Sequence, residues 1–486
     1  MKAFPELPIY TGFNKPSRLE ADVADLEVEG NLPADIDGVF FRVGPDPKYP
    51  PKLGTDIYFN GDGMISQFRF HKGRVDFKCR YARTDKLIAE DAAGRALFGA
   101  YRNPFTDDPL VQGLSRSTAN TNAFVHAGRL FAMKEDSHPT AMDPWTLDTI
   151  DSHWNFHGKL KSQAFTAHPK IDPATGEMIA FGYGAKGIDT PDVAYYVIDK
   201  TGEIVHEAWF QVPYANLMHD FGVTEDYVIF PIVPVCSSLE RARQGKPVFG
   251  WDSSKDVYLG VLPRRGEGKD IRWFKSPNLF CSHVMNAFNE GAKIHFDVPV
   301  AKSNMFPFFP DITGAPFDRA GAASYVTRWT LDMASNADSW EARRLTNLVG
   351  EFPKIDERYA TRPYRHGYVC VQDLSLPFET KRGESITGMH INCWGHIDHA
   401  TGVSKIWHCG KASSLQEPVF IPRRPDAAEG DGYLLGLCMR YDDMLSDLVL
   451  LDAQHIEEGP IATIHLPLRL RAGLHGNWVP ADQLPG

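Results

Sequence analysis

Short apolar runs separated by glycine and proline constrain the fold of this chain more than any other feature. Runs rich in Val, Ile, Tyr and Phe end in turn residues after a few positions, as in AYYVIDK, DYVIFPIV and GYLLGLCM. The 41 glycines and 35 prolines are spread almost evenly, and long helical periodicity is rare. The pattern predicts many short strands, arranged as a sandwich, a barrel or a propeller.

The length of the chain narrows this choice. Its 486 residues are hard to fit into one sandwich, which favours a propeller. No clean repeat at a fixed period is visible, so the number of blades cannot be read from the residues. Two segments interrupt the strands: 84–118 predicts a helical excursion, and 300–320 predicts a proline-broken loop that contains MFPFFP. That aromatic loop either packs on the core or forms the mouth of an apolar substrate tunnel.

Composition excludes several classes of protein. The net charge of -11 argues against a nucleic-acid partner. No apolar run approaches the roughly 18 residues of a membrane span, and MKAFPELPIY lacks the basic and then apolar pattern of a signal peptide. The seven scattered cysteines are typical of free thiols in a reducing compartment. These features predict a cytoplasmic protein without a transmembrane segment.

Compact motifs for metal or phosphate binding are absent, because the chain has no HExxH, no CxxC and no GxxxxGK[ST]. The glycine-rich stretch FNGDGM at 59–64 by itself predicts a hairpin turn. Four of the 18 histidines stand out by the text around them: AHPKIDPATGE, MHDFGVTEDY, HVMNAF and GLHGNW. They are far apart in the chain, so they can meet only if the fold brings distant segments together.

These four stretches resemble the carotenoid cleavage oxygenase family, non-haem iron enzymes that split carbon–carbon double bonds with O2. So do LPADIDGVFFRVGPDP, FNGDGM, GEFPKIDERY and EPVFIPRRPDAAEGDGYLL, and the eight stretches stand in the family's order along the chain. The resemblance implies an all-β fold, a seven-bladed β-propeller with a helical and loop cap over an axial iron site. Residues 1–486 would then form one catalytic domain, with 84–118 and 300–320 as cap insertions.

The resemblance also implies the metal ligands. One Fe(II) would be held by His168, His219, His283 and His475, with O2 as co-substrate. Neutral imidazole suits ferrous iron, and a carboxylate on the outer ring nitrogen fixes the tautomer of each histidine. The matching carboxylates are Glu135 for His219, Glu351 for His283 and Glu417 for His475. The nearby His295 and His465 fall outside the motif positions, and we interpret them as structural.

Three further residues are similar to those of the stilbene-cleaving branch of the family. Tyr101 and Lys134 would hold the 4-hydroxyl of the substrate, and Phe59 would pack on an aromatic ring. A cationic lysine stabilises a phenolate, which pushes electron density onto the olefin. Strand alternation places Lys134 and Glu135 on opposite faces, so both can serve one site only if the strand ends or bulges there. Asn60 departs from the more usual family text, which has aspartate.

The sequence therefore predicts a cytoplasmic Fe(II) dioxygenase. It would cleave the central double bond of 4-hydroxystilbenes, including lignin-derived ones, to two aromatic aldehydes such as vanillin-type products. Cleavage of apocarotenoids is the alternative within the enzyme class. A propeller that serves only as a binding scaffold is a further alternative, but it has no need of a buried set of histidines and glutamates. A homodimer is suggested only by analogy with the stilbene branch.

Overall fold

Antiparallel strands dominate the computed structural model, which describes residues 3–379 and 390–486. Within these residues the strands form seven sheets of four or more strands and one two-stranded sheet. The architecture is a seven-bladed β-propeller, and the fold prediction is confirmed. The blades are numbered here in the order in which the chain builds them.

The chain divides into two compact units. The first comprises Met1–Asn155, Asp373–Trp394 and Ile406–Gly486, and the second comprises Phe156–Gln372 and Gly395–Lys405. The described part of the first unit contains blades 1, 2 and 7. In sheet order, blade 1 has strands Ala21–Val23, Arg74–Tyr81, Gly63–His71, Gly38–Pro45 and Gly476–Pro480. Blade 2 has strands Asn122–His126, Arg129–Met133, Thr140–Met142 and Thr149–Asp151. Blade 7 has strands Glu27–Gly30, Pro460–His465, Leu445–Asp452, Gly432–Arg440 and Ser413–Leu415, with Val419–Pro422 also paired to Gly432–Arg440.

Blades 3, 4 and 5 belong to the second unit. Blade 3 has strands Lys170–Ile171, Met178–Tyr183, Asp192–Ile198 and Ile204–Gln211. Blade 4 has strands Gly222–Val223, Tyr227–Ile232, Val257–Pro263 and Arg272–Ser276, and the small sheet pairs Val235–Ser237 with Phe249–Trp251. Blade 5 has strands Phe280–Cys281, Asn286–Glu290, Lys293–Ala301, Tyr325–Asp332 and Glu341–Arg344. Blade 6 has strands Gly350–Ile355, His366–Val371, Cys393–Asp398 and Ser404–His408.

The two ends of the chain share sheets. The last strand, Gly476–Pro480, pairs antiparallel with Gly38–Pro45, so that Gly38 opposes Pro480 and Arg42 opposes Gly476. The early strand Glu27–Gly30 pairs in the same way with Pro460–His465. Backbone hydrogen bonds between residues more than 400 positions apart thus hold the ends together.

The core lies between the strands, where both faces are covered. All eight residues of Gly38–Pro45 are buried, and so are all seven of Asp192–Ile198. Phe40 and Phe68 stack in one cluster of the first unit together with Leu435 and Leu450. Each such side chain contributes about 1.5–3 kcal/mol when it is fully buried.

Helices are short and few. The α-helices of the described residues are Asp85–Ala93 and Leu239–Arg243. The first is capped by the Thr84 hydroxyl, which accepts a hydrogen bond from the Leu87 N–H, and it ends at Gly94 with φ of +64°. The remaining helical turns are 3-10: Pro8–Tyr10, Gly12–Asn14, Tyr58–Asn60, Pro104–Thr106, Pro109–Val111, Gly268–Asp270, Glu357–Tyr359, Ile456–Glu458 and Ala481–Gln483.

The aromatic loop follows strand Lys293–Ala301 in blade 5. Phe309 is buried, and the Phe306 ring packs at 5.4 Å from the ring of Phe280. The Asn304 amide ties the loop by donating to the carbonyl oxygens of Phe306 and Phe309. The loop therefore packs on the core of its own unit, and a role at a substrate entrance stays a prediction.

Two observations bear on the predictions from composition. Among residues 3–379 and 390–486, no helix is both long enough and apolar enough to cross a membrane. All seven cysteines carry free thiols.

Candidate active site

The four predicted histidines occupy equivalent places, because each stands just before an edge strand of its blade. His168 precedes Lys170–Ile171 and His219 precedes Gly222–Val223. In the same way His283 precedes Asn286–Glu290, and His475 directly precedes Gly476–Pro480. The repeated position explains how residues 51 to 307 positions apart can meet: the blades repeat the same geometry around a central channel.

The side-chain nitrogens of these histidines form a cluster. His219 Nε2 lies 3.2 Å from His168 Nε2 and 2.9 Å from His283 Nε2. Together with His475, the four candidate ligand atoms lie within 4.8 Å of one another. His219 is partly buried and the other three are buried. The structure therefore brings together the four residues that the sequence singled out.

Carboxylates fix the tautomer of two of these rings. Glu351 Oε2 lies 2.5 Å from His283 Nδ1, and Glu417 Oε1 lies 2.9 Å from His475 Nδ1. A carboxylate accepts a hydrogen bond, so Nδ1 carries the proton and Nε2 keeps its lone pair. This is the arrangement in which histidine binds a metal through Nε2.

The cluster fits a divalent metal. Close approach of lone-pair-bearing nitrogens is repulsive unless a cation lies among them. Two nitrogens at right angles, each about 2.1 Å from a metal, would lie about 3.0 Å apart, close to the observed 3.2 and 2.9 Å. A set of imidazoles is also a donor set that transition metals accept. The residues therefore match a mononuclear metal centre.

Glu351 is held by more than His283. The Ser282 hydroxyl donates to its Oε1 at 2.5 Å, and the Phe352 N–H donates to its Oε2. Burial alone would raise the pKa of Glu351, but His283 and these hydrogen bonds lower it to about 2. The Phe352 ring also stacks on His283 at 4.8 Å, and the backbone of Phe352 has φ of +52°. The carboxylate thus stays ionised and the His283 ring is fixed from two sides.

Sequence reasoning missed a second link between histidine segments. Asp220, next to His219, is buried and accepts a hydrogen bond from the Val284 N–H at 2.8 Å, next to His283. Lys170 Nζ lies 2.8 Å from the same carboxylate. The acidic residue in MHDF was the available signal, but its partners lie about 50 and 64 positions away.

Glu135 lies in a different environment. It is buried, and its carboxylate pairs with Arg102 Nη2 at 3.2 Å. Arg102 is also buried and pairs with Asp136 at 3.0 Å. The support of His219 by Glu135 stays a prediction. Arg102 is another residue that could not be selected from the sequence.

Lys134 and Glu135 can serve one site only if their strand ends or bulges there, and the strand does end there. Strand Arg129–Met133 ends one residue before Lys134, and a turn begins at Glu135. Alternation therefore no longer separates Lys134 from Glu135, and both side chains are buried.

The three residues predicted to bind the phenol lie together. Lys134 Nζ donates to the Phe59 carbonyl oxygen at 3.2 Å and lies 5.0 Å from the centroid of the Tyr101 ring. Phe59 and Tyr101 are partly exposed. Asp56 ties their segments together, because its carboxylate accepts from the Tyr101 N–H and from the Asn60 amide. An ammonium, a phenol and an aromatic ring thus share one small region.

Burial changes the acid–base properties of this region. Desolvation, aided by the nearby Arg102 charge, lowers the pKa of Lys134 from 10.5 to about 8, although Asp136 and Glu135 act in the opposite direction. Desolvation also raises the pKa of the Tyr101 hydroxyl well above its usual value. At neutral pH the lysine is cationic but easily deprotonated, and the tyrosine is a neutral hydrogen-bonding group.

Comparison with known proteins shows the family to which the chain belongs. A family model described as retinal pigment epithelial membrane protein matches residues 14–480. Lignostilbene-alpha,beta-dioxygenase isozyme III of Sphingomonas paucimobilis is 54% identical, over 100% of this chain and 99% of that protein. The chain belongs to the carotenoid cleavage oxygenase family. The predicted family is confirmed, and it is a family of metal-dependent oxygenases.

Two further comparisons refine the position within this oxygenase family. Isoeugenol monooxygenase of Pseudomonas nitroreducens is 46% identical, over 97% of this chain and 98% of that protein. The crystal structure of Pseudomonas brassicacearum lignostilbene dioxygenase superposes with a TM-score of 0.95 at 45% identity, covering 99% and 100% of the two chains. The similarity spans the whole propeller rather than the metal site alone.

The two histidines predicted to be structural have other partners. His295 contacts the Thr330 hydroxyl at 3.0 Å and Glu290 at 3.1 Å. His465 contacts Asp447 at 3.0 Å. Neither belongs to the four-histidine cluster.

Proposed function

We propose that this protein is an Fe(II)-dependent dioxygenase that cleaves the central double bond of 4-hydroxystilbenes with O2. The products are two aromatic aldehydes, vanillin-type when the rings carry methoxyl groups, which suits the breakdown of lignin-derived compounds. The observation that carries the proposal is the position of Lys134 Nζ beside Tyr101 and Phe59, in a chain whose four histidines cluster.

The four clustered histidines are proposed to hold the iron. His168, His219, His283 and His475 offer neutral nitrogen donors, which leave the charge of the metal uncompensated. Ferrous iron supplies the one-electron chemistry that lets O2 react with an organic substrate. The proposed role of Glu351, Glu417 and Glu135 is to hold the histidine rings in orientation.

Lys134 and Tyr101 are proposed to bind and activate the phenol. A phenol has a pKa near 10, and a cationic lysine at hydrogen-bond distance favours its ionised form. The phenolate is conjugated with the olefin, so ionisation makes the double bond richer in electrons. Tyr101 is proposed to donate a second hydrogen bond to the same oxygen, and Phe59 to pack on the phenol ring. The charge of the buried lysine would not activate a carotenoid, because a carotenoid chain has no phenolic hydroxyl to ionise.

The reaction balances without a reductant. The carbon–carbon double bond breaks, and each of its carbons receives one oxygen atom from the same O2 molecule. Both products are therefore aldehydes, and the phenol regains its proton when they leave.

A second candidate substrate class has support from the comparisons. Isoeugenol is also a 4-hydroxyphenyl compound with a conjugated double bond, and a protein named for its oxidation is 46% identical. Phenol activation by Lys134 would serve both substrates equally. Cleavage of apocarotenoids, in contrast, would leave Lys134 buried without a partner of opposite charge, which is costly.

We also propose that the chain acts in the cytoplasm, as a homodimer and as one catalytic domain over residues 1–486. The seven free thiols support a reducing compartment. Size measurement in solution tests the homodimer.

The test of the proposed function uses iron-loaded protein under ¹⁸O₂. It receives a 4-hydroxystilbene, isoeugenol or an apocarotenal, and the aldehydes are reduced at once to alcohols to prevent exchange with water. We expect one ¹⁸O atom in each of the two stilbene products. Cleavage of the apocarotenal alone, or label in only one aldehyde, would contradict the proposal.

A further inference from the structure

A buried asparagine connects the residues of the proposed phenol site. Asn120, just before strand Asn122–His126, has no solvent exposure. Its Nδ2 donates to the carbonyl oxygens of Phe59 at 2.8 Å and Gly61 at 2.6 Å. Its Oδ1 accepts from Lys134 Nζ at 3.2 Å and from the Thr121 hydroxyl at 3.3 Å. One amide therefore uses both donors and both lone pairs.

The amide fixes two parts of the site relative to each other. Phe59 and Gly61 belong to the turn FNGDGM, and Lys134 follows the second strand of blade 2. Lys134 Nζ has three donors, of which two are used by the Phe59 carbonyl and Asn120 Oδ1. Among residues 3–379 and 390–486 the third N–H has no acceptor, so it can serve a ligand.

The acceptors on Lys134 are uncharged. In the described part of the chain, no carboxylate oxygen lies within 4.0 Å of Lys134 Nζ. The charged groups that act on the lysine do so without a direct contact: Arg102, Glu135, Asp136 and Asp56. A carbonyl dipole orients an ammonium without neutralising it, whereas a carboxylate would form an ion pair with it. The positive charge is therefore held in place and stays available.

We propose that Asn120 is a positioning residue for cleavage, which holds Lys134 and the Phe59 turn together and leaves the lysine charge for the substrate phenolate. The inference rests on the proposed function and deepens it. It identifies the group that sets the position of the activating lysine. An asparagine that only stabilised the fold would affect phenolic substrates no differently from other buried asparagines.

The main test is a double-mutant cycle on kcat/KM for a 4-hydroxystilbene. It compares the wild type with Asn120→Ala, Lys134→Met and the double variant, each with its iron content measured. We expect Asn120→Ala to lose about 10-fold and Lys134→Met about 10- to 100-fold. The double variant should lose clearly less than the product of the two single losses, because part of the effect of Asn120 acts through the lysine.

Asn392 provides the matched control. It is also buried, and its amide also bonds backbone groups, the carbonyl oxygen and the N–H of Asp373. We expect Asn392→Ala alone to have a small effect on kcat/KM. Combined with Lys134→Met, its effect and that of the lysine change should multiply. Equal behaviour of Asn120→Ala and Asn392→Ala in the cycle would overturn the inference.

If the alanine variant fails to fold, Asn120→Asp provides a second test, because aspartate has the shape of asparagine. A carboxylate beside Lys134 Nζ would keep the lysine protonated to higher pH, by about one pH unit or more. In Asn120→Asp, kcat/KM should therefore level off at a higher pH than in the wild type. This shift should be absent when Asn120→Asp is combined with Lys134→Met. An unmoved profile would count against the positioning role.

The outcomes separate the two proposals. Wild-type protein that holds iron but does not cleave the stilbene would refute the proposed function. Wild-type cleavage, with strictly multiplicative effects of Asn120→Ala and Lys134→Met, would refute only the role of Asn120.

Discussion

Replacement of Lys134 by methionine tests how the protein activates a phenol. Methionine has nearly the same length, so the variant removes the charge and the donors while it keeps most of the packing. The wild-type lysine is buried, and its pKa of about 8 means that it stays mostly protonated up to that pH. We expect Lys134→Met to retain its iron and to lose activity on 4-hydroxystilbenes.

The size of the loss follows from the contact that disappears. A hydrogen bond between two charged groups contributes about 1.5–3 kcal/mol, which corresponds to about 10- to 100-fold in kcat/KM. The reactive pair is a protonated Lys134 and a phenolate. Below pH 8 the wild type keeps its lysine charged, so its advantage over the variant should be constant. Above pH 8 the lysine loses its proton, and the advantage should fall about tenfold per pH unit.

The assay compares initial rates of aldehyde formation between pH 6 and pH 9.5. The wild-type profile should rise with the phenolate fraction and level off near pH 8. The Lys134→Met profile should continue to rise toward the pKa of the free phenol, near 10. A ratio of the two activities that stays constant across the whole range would refute this account of the lysine. So would a variant as active as the wild type at pH 7.

Two further predictions concern the metal centre. His219→Ala removes a nitrogen that lies 3.2 Å from His168 Nε2 and 2.9 Å from His283 Nε2, so iron content and activity should be lost together; full activity without bound iron would refute the metal assignment. Glu351→Gln keeps the shape but loses the carboxylate that orients His283. Its iron affinity, measured by competition with a chelator, should fall about 10- to 100-fold, and unchanged affinity would mean that the histidine is held by its other contacts.

The propeller could be predicted from the sequence, but its blade count could not. Short strands and evenly spaced turns suffice to indicate the class. The blades differ too much for a repeat to show: strand Lys170–Ile171 has two residues where strand Gly38–Pro45 has eight. Long insertions such as 302–324 in blade 5 also disturb the period. The number seven came from the family resemblance alone.

The four histidines of the candidate metal site could be selected by the text around them, though not by their spacing. No local pattern joins His168 to His475, because the ring of blades, rather than a helix or a hairpin, brings them together. Glu351 and Glu417 could be proposed in the same way, and each lies against the histidine assigned to it.

Other residues of the candidate site could not be recognised from the sequence. Asn120 stands in the polar text STANTN, which is typical of a loop, yet it is completely buried. Its partners Phe59 and Gly61 lie about 60 positions away. Ser282 is a similar case, because its hydrogen bond to Glu351 joins residues 69 positions apart and is visible only in the tertiary structure.

The most direct measurement of the central claim is a paired assay with iron-loaded protein in air. One sample receives a 4-hydroxystilbene and the other receives the same compound with that hydroxyl methylated, and the products are separated by chromatography. We expect two aldehydes from the phenol and almost none from the ether, because only the phenol can ionise beside Lys134. Equal cleavage of both compounds would contradict phenolate activation, and cleavage of neither would contradict the stilbene substrate.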